Sequence, residues 1–179
     1  MQNIPMARPT WDDEMLAAAV RTLNSRHWVK GPEGQAFGQE FAAMCGAHGG
    51  TPCQSGSVAL WGALNLLDIG PGDEVLVPSL TYISTATCVN LVGATPVFVD
   101  VEPEYWCVDL DALEKARTPR TKAVIAVHLF GQMSDDRLPA WCKSHNIAYI
   151  EDAAQAHGAV SLGGQIRSRS ESSHVSGSK

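Results

Sequence analysis

Residues 147–158, IAYIEDAAQAHG, run four largely apolar residues straight into two adjacent acids, Glu151 and Asp152. Small residues, Gln155 and His157 then follow. A short apolar run that stops abruptly at charge reads as a buried strand delivering carboxylates to one edge of a sheet. The chain upstream repeats the pattern. EVLVP (74–78), TPVFVDV (95–101) and KAVIAVHLF (122–130) are further short apolar runs, each separated from the next by a helical segment. Continuous apolar strands alternating with helices predict an α/β fold with a mainly parallel sheet covered on both faces.

The intervening helices are expected at about 57–67, 82–92, 110–116 and 135–145. A weaker strand is expected in GTPCQ (50–54), ending at Gln54. Upstream, WDDEMLAAAVRTLN (11–24) predicts a helix with Thr10 as its N-cap and Trp11, Met15, Ala18 and Leu23 as its apolar face. A second helix is expected at about 34–45. Three regions follow: an N-terminal helical segment (1–49), an α/β core (50–163) and a tail (164–179). RSRSESSHVSGSK (167–179) has too little apolar surface to offset the entropy of ordering it, so the tail is expected to be disordered.

The 179 residues suffice for one domain with a substantial core. A formal charge of −6 with no basic cluster argues against nucleic acid or anionic membrane as partner. No apolar run approaches a membrane span and Met1–Trp11 does not resemble a secretory signal, so the cytoplasm is the expected location. The five cysteines (45, 53, 88, 107 and 142) show no CxxC spacing and are expected to be buried and reduced, with no metal site.

In open parallel sheets, ligands bind beyond the carboxyl ends of the strands. Ser55, Gly56 and Ser57 open a helix there, where backbone N–H groups and hydroxyls suit a phosphate. An ordinary N-cap is the alternative. Tyr82 follows the EVLVP strand and could stack on a flat ligand or simply pack. His128 follows the next strand, where structural hydrogen bonding competes with catalysis as its role. Asp152 is the most informative. Its burial requires a cationic or hydrogen-bonding partner, and a protonated pyridine nitrogen would serve, with a helix N-cap as the alternative.

Taken in order, IPMARP (4–9), WVKGPEGQAFGQEFA (28–42), SGSVAL (55–60), IGPGDEVLVPSLTYISTA (69–86), GATPVFVDVE (93–102), TPRTKAVIAVHLFGQ (118–132) and IEDAAQAHGA (150–159) resemble the DegT/DnrJ-type sugar aminotransferases over about residues 4–168. The resemblance implies the large domain of the aspartate-aminotransferase-like fold (PLP fold type I) and pyridoxal 5′-phosphate (PLP) as cofactor. It implies Gly56, Ser57 and the backbone of Val58 at the phosphate, Tyr82 on the ring, Asp152 at the pyridinium nitrogen and Gln155 near the ring hydroxyl. The implied reaction transfers an amino group from an amino acid, usually glutamate, to a keto group on a nucleotide-linked sugar in a homodimer.

The sequence departs from the family after IEDAAQAHGA. Where the family has an apolar strand, a Phe-Ser-Phe-like segment and the cofactor-linking lysine, this chain has RSRSESSHVSGSK. Lys179 lies near the expected distance beyond Asp152, but without the flanking aromatics. The expectations are therefore threefold: an aminotransferase using Lys179, a truncated or frame-disrupted inactive relative, or a dehydratase relative with a histidine such as His174 in place of the lysine.

Overall fold

The structure is a computed structural model and describes residues 8–160. The predicted tail, with Lys179 and His174, lies outside the described residues. Four strands form one sheet: β1 (Glu74–Pro78), β2 (Thr95–Val99), β3 (Thr121–Val127) and β4 (Ala148–Asp152). Every pairing is parallel and the order is β2-β1-β3-β4. The α/β expectation therefore stands.

The two-residue period of a strand explains the layering. On one face, Val75 and Val77 of β1, Ala123 and Ile125 of β3 and Ile150 of β4 meet Leu60 and Leu64 of α3 (Gly56–Leu66). They also meet Cys88 and Val89 of α4 (Ser84–Leu91). On the other face, Leu76, Val124 and Ala126 meet Leu113 of α5 (Leu110–Ala116) and Leu138 and Cys142 of α6 (Leu138–Ser144). All five residues of β1 are buried, which is why its sequence shows no polar alternation. Each buried Val, Leu or Ile among them contributes about 1.5–3 kcal/mol by leaving water.

The amino edge of the sheet is held by a charge. Glu74 is buried, accepts from the Thr118 hydroxyl at 2.5 Å, and pairs with the Arg120 guanidinium. These partners hold its carboxyl below the usual range, Thr118 contributing most and Arg120 next, against the cost of burial.

Two local expectations are corrected. Residues 50–54 form no strand: Thr51–Gln54 is exposed, Pro52 lacks an N–H, and nothing pairs with the segment. The first helix, α1 (Asp13–Ser25), is capped by Asp12, whose side chain accepts from Met15 N–H at 2.8 Å, rather than by Thr10. Its expected face is open as well, with Trp11, Met15 and Leu23 all exposed. The second helix, α2 (Pro32–Met44), buries Gly38 and Ala42. The remaining elements lie within three residues of expectation, and α5 falls on 110–116 as read.

Four cysteines are buried, whereas Cys53 is exposed, because the segment carrying it is a surface loop and not a strand. Burial pushes the Cys88 thiol up to about 11 and Cys142 to about 12. Among the described residues, no group of three or more His, Cys, Asp or Glu could hold a metal ion. No helix there is long and apolar enough to cross a membrane.

Candidate active site

The strand order reverses at β1. The chain leaves β1 for β2 on one side and returns as β3 on the other, so the crevice at the carboxyl ends of β1 and β3 is the topological switch point. Every predicted site residue among the described residues lies at this end of the sheet or at the start of a helix packed on it.

Ser55, in extended conformation, caps α3 by accepting from Val58 N–H at 3.4 Å. The N-cap alternative is thus real for Ser55. It also engages the Val58 N–H, leaving Gly56 and Ser57 as the donors without intrahelical partners. The space around Gly56 is open: a Cβ there would meet nothing within 4 Å. The Ser57 hydroxyl lies 2.8 Å from that of Ser84, which is buried at the start of α4. This bond fastens the starts of α3 and α4 together. Tyr82 stands two residues before α4, in a turn and not in the helix, with 71% of its surface exposed. It is therefore free to meet a ligand rather than serving as core packing.

Asp152 ends β4. Period-two alternation turns it with Ile150 toward the α3/α4 face, and it lies close enough to Cys88 for its charge to help push that thiol up. The N-cap alternative does not apply, since a turn and no helix follows β4. Among the described residues, the Asp152 carboxylate accepts only from Ala154 N–H, at 3.1 Å. Gln155 is exposed, and its Oε1 accepts from Phe130 N–H at 2.7 Å.

His128 takes the structural role. It is 1% exposed, and its Nδ1 accepts from Ser134 N–H at 3.1 Å. That leaves the proton on Nε2, which donates to Glu151 at 3.1 Å, and the Tyr149 hydroxyl donates to the same carboxylate oxygen. A small cleft lined by His128, Ser134, Tyr149 and Glu151 opens beside this cluster. Tyr149 packs with the α5/α6 layer, so the cluster belongs to the sheet face opposite Asp152.

Two residues were missed by sequence reasoning. Ser84 belongs to a polar pair, Ser84–Thr85, buried in the first turn of a helix whose other polar residues, Thr87 and Asn90, are exposed, and nothing local in the sequence marks that burial. Phe130 adopts a left-handed conformation (φ 57°), hinted at only by the Gly that follows it.

The donor set fits PLP in kind. Helix-start N–H groups without intrahelical partners suit a phosphate, an exposed aromatic suits a flat ring, and a carboxylate with a single backbone partner among the described residues suits a cationic ring nitrogen.

Comparison with known proteins agrees. A 46% identical relative over 151 residues is a dTDP-3-amino-3,4,6-trideoxy-α-D-glucose transaminase of Streptomyces venezuelae, matching 84% of this chain and 40% of the relative. A UDP-N-acetyl-3-dehydro-α-D-glucosamine 3-aminotransferase of Acidithiobacillus ferrooxidans is 45% identical over 148 residues, 82% of this chain and 40% of its own. The chain thus spans about 40% of the length of these curated relatives. Among solved structures, DesV of S. venezuelae, in complex with a ketimine intermediate, superposes with a TM-score of 0.79 at 46% identity. The match covers 81% of this chain and 39% of DesV. Spr1654 of Streptococcus pneumoniae in its PLP form gives 0.79 at 32% identity, covering 86% and 43%. The family model described as the DegT/DnrJ/EryC1/StrS aminotransferase family matches residues 9–176, and the chain belongs to that family.

Proposed function

We propose that this chain supplies the cofactor-binding half of a PLP-dependent aminotransferase acting on a keto group of a nucleotide-linked sugar, with an amino acid such as glutamate as donor. The observation that carries this reading is Asp152: a carboxylate at the end of β4, on the α3/α4 side, whose one hydrogen bond among the described residues is to a neighbouring backbone N–H. Bound PLP supplies an electron sink that stabilises negative charge on the carbon being aminated.

The chain's residues bind, orient and hold a proton. Gly56 and Ser57 take the phosphate at the positive end of α3. Tyr82 covers one ring face. Asp152, by its negative charge, holds the ring nitrogen protonated, which keeps the ring electron-poor. Gln155 directs its amide at the ring oxygen. Lys179 is the proposed amine that links the cofactor and moves the proton between carbons. A homodimer is the proposed assembly, as the resemblance implies.

The test is direct. The full chain is incubated with PLP, reduced with borohydride and mapped by mass spectrometry. A pyridoxyl label confined to Lys179 supports the catalytic reading. Absence of a stable label together with saturable PLP binding that Asp152→Ala abolishes would retain the cofactor site and reject Lys179. No saturable binding would reject the cofactor reading.

A further inference from the structure

Phe130 holds an exposed aromatic side chain on a left-handed backbone (φ 57°, ψ 21°), which side chains of this shape rarely adopt. Such a conformation persists only where the surroundings over-determine it, and here they do. The Phe130 N–H donates to Gln155 Oε1 at 2.7 Å. Gly131 continues the turn at φ 85°, close against the Gln155 carbonyl. Upstream, His128 N–H donates to the Asp152 carbonyl at 3.0 Å. Downstream, Ser134 N–H donates to the buried His128 ring. The segment from His128 to Ser134 is thereby tied to residues 151–155 through His128 and Phe130, and Ser134 closes the turn back onto His128.

The consequence for Gln155 is chemical. An amide side chain has an accepting half and a donating half. A backbone N–H can bond only to the accepting half, so the Phe130 contact commits Oε1 and leaves the NH2 as the half available to a ligand. From this we infer that the main chain of Phe130 is a positioning element: it orients the Gln155 amide so that Gln155 presents only its donors to a ligand and selects a ligand oxygen that accepts. This inference rests on the PLP reading for the identity of that oxygen, the ring hydroxyl in its deprotonated form. The contact itself does not depend on that reading.

The experiment has two arms on the full chain. In the first, amide hydrogen exchange at Phe130 is measured without cofactor. Gln155→Leu removes the acceptor and should speed exchange at least about tenfold, whereas Gln155→Glu keeps an acceptor and should retain the protection. Equal exchange in wild type and Gln155→Leu would overturn the contact. In the second, dissociation constants are compared for PLP and for an analogue lacking the ring hydroxyl. Wild type should prefer PLP by roughly tenfold, the factor expected of a hydrogen bond to a charged acceptor.

Replacing Phe130 by its α-hydroxy acid turns the amide N–H into an ester oxygen and should collapse that preference. So should Gln155→Glu, which has no donor. A merely structural role would weaken both ligands equally and leave the ratio intact, which would overturn the positioning role. Thermal melting of the ester variant, expected to remain cooperative, distinguishes these outcomes from unfolding. If wild type binds neither ligand, the cofactor reading fails, and the ligand-selecting role falls with it. The exchange arm still decides the Phe130–Gln155 contact.

Discussion

His128→Leu tests how the carboxyl edge of the sheet is held. The imidazole is fully enclosed and serves two partners, accepting from Ser134 N–H and donating to Glu151, each at 3.1 Å. Leucine restores much of the volume, so the packing cost stays below about 1.5 kcal/mol. The polar losses are larger. Ser134 N–H, on a buried residue, is left without its acceptor, at about 1–3 kcal/mol. Glu151, whose side chain is 8% exposed, loses one of two side-chain donors and keeps only Tyr149, at about 1.5–3 kcal/mol. Partial relaxation lowers the sum, and the expected destabilisation is about 3–5 kcal/mol. That is a large share of the 5–15 kcal/mol typical of a whole domain. With a urea dependence of about 2 kcal/mol per molar, the unfolding midpoint followed by circular dichroism should fall by about 2 M. His128→Gln keeps one acceptor and one donor and should lose less than half as much. A leucine variant within about 0.5 M of wild type, or a glutamine variant as damaged as leucine, would refute the reasoning.

Three further outcomes are expected. Asp152→Asn keeps an oxygen for Ala154 N–H but loses the charge. PLP affinity, measured by absorbance titration, should fall about 10–100-fold, while the cofactor-free chain should change by less than about 1 kcal/mol. Ser84→Ala removes the acceptor of the Ser57 hydroxyl and with it the link that fastens the starts of α3 and α4 around the proposed phosphate position. It should weaken PLP several-fold and leave pyridoxal, which lacks the phosphate, unaffected in the same titration. Glu74→Gln should cost about 1–2 kcal/mol at neutral pH, discounted because Arg120 is mostly exposed. The folded-state carboxyl of Glu74 is depressed below its ordinary 4.5, so its contribution is fully present above that value and lost as pH falls toward the folded value. The gap between wild type and Glu74→Gln in urea midpoints should therefore close on acidification; a gap that widens would contradict this.

The strands were legible because burial on both faces leaves continuous apolar runs, as in VLV of β1 and AVIAV of β3. The same reasoning misled at GTPCQ, a short weakly apolar stretch before a helix. Period cannot separate a strand from a loop of that length, and Pro52 was the better guide. Asp152 was conspicuous as a charge at the end of an apolar strand, whereas Gln155 stood out only through the family resemblance. Ser84 and Phe130 were not legible. The role of Ser84 arises from a hydroxyl contact with Ser57, 27 residues away, and that of Phe130 from a backbone angle. A long-range contact leaves no local signal in sequence, and the positive φ at Phe130 left only the following Gly131 as a hint.

The adjacency of Glu151 and Asp152 looks unfavourable in sequence, since two carboxylates sharing one site repel. In a strand it is the reverse of sharing, because successive side chains leave on opposite faces. Glu151 turns with Tyr149 toward the α5/α6 layer and is held by the His128 ring and the tyrosine hydroxyl. Asp152 turns with Ile150 toward α3 and α4, where Tyr82 and the Ser57–Ser84 link lie. One carboxylate is thus used to anchor the strand end and the other is left available for a ligand cation. The anchor also fixes the loop that reaches Gln155, since His128 holds Ser134 on one side of Phe130 and the Asp152 carbonyl on the other. A shift of the β4 register by one residue would exchange the two faces, setting Glu151 in the crevice proposed for the cofactor and stranding His128 without its acceptor. The buried histidine therefore does more than fill space: it makes the correct register the one in which Asp152 faces the site.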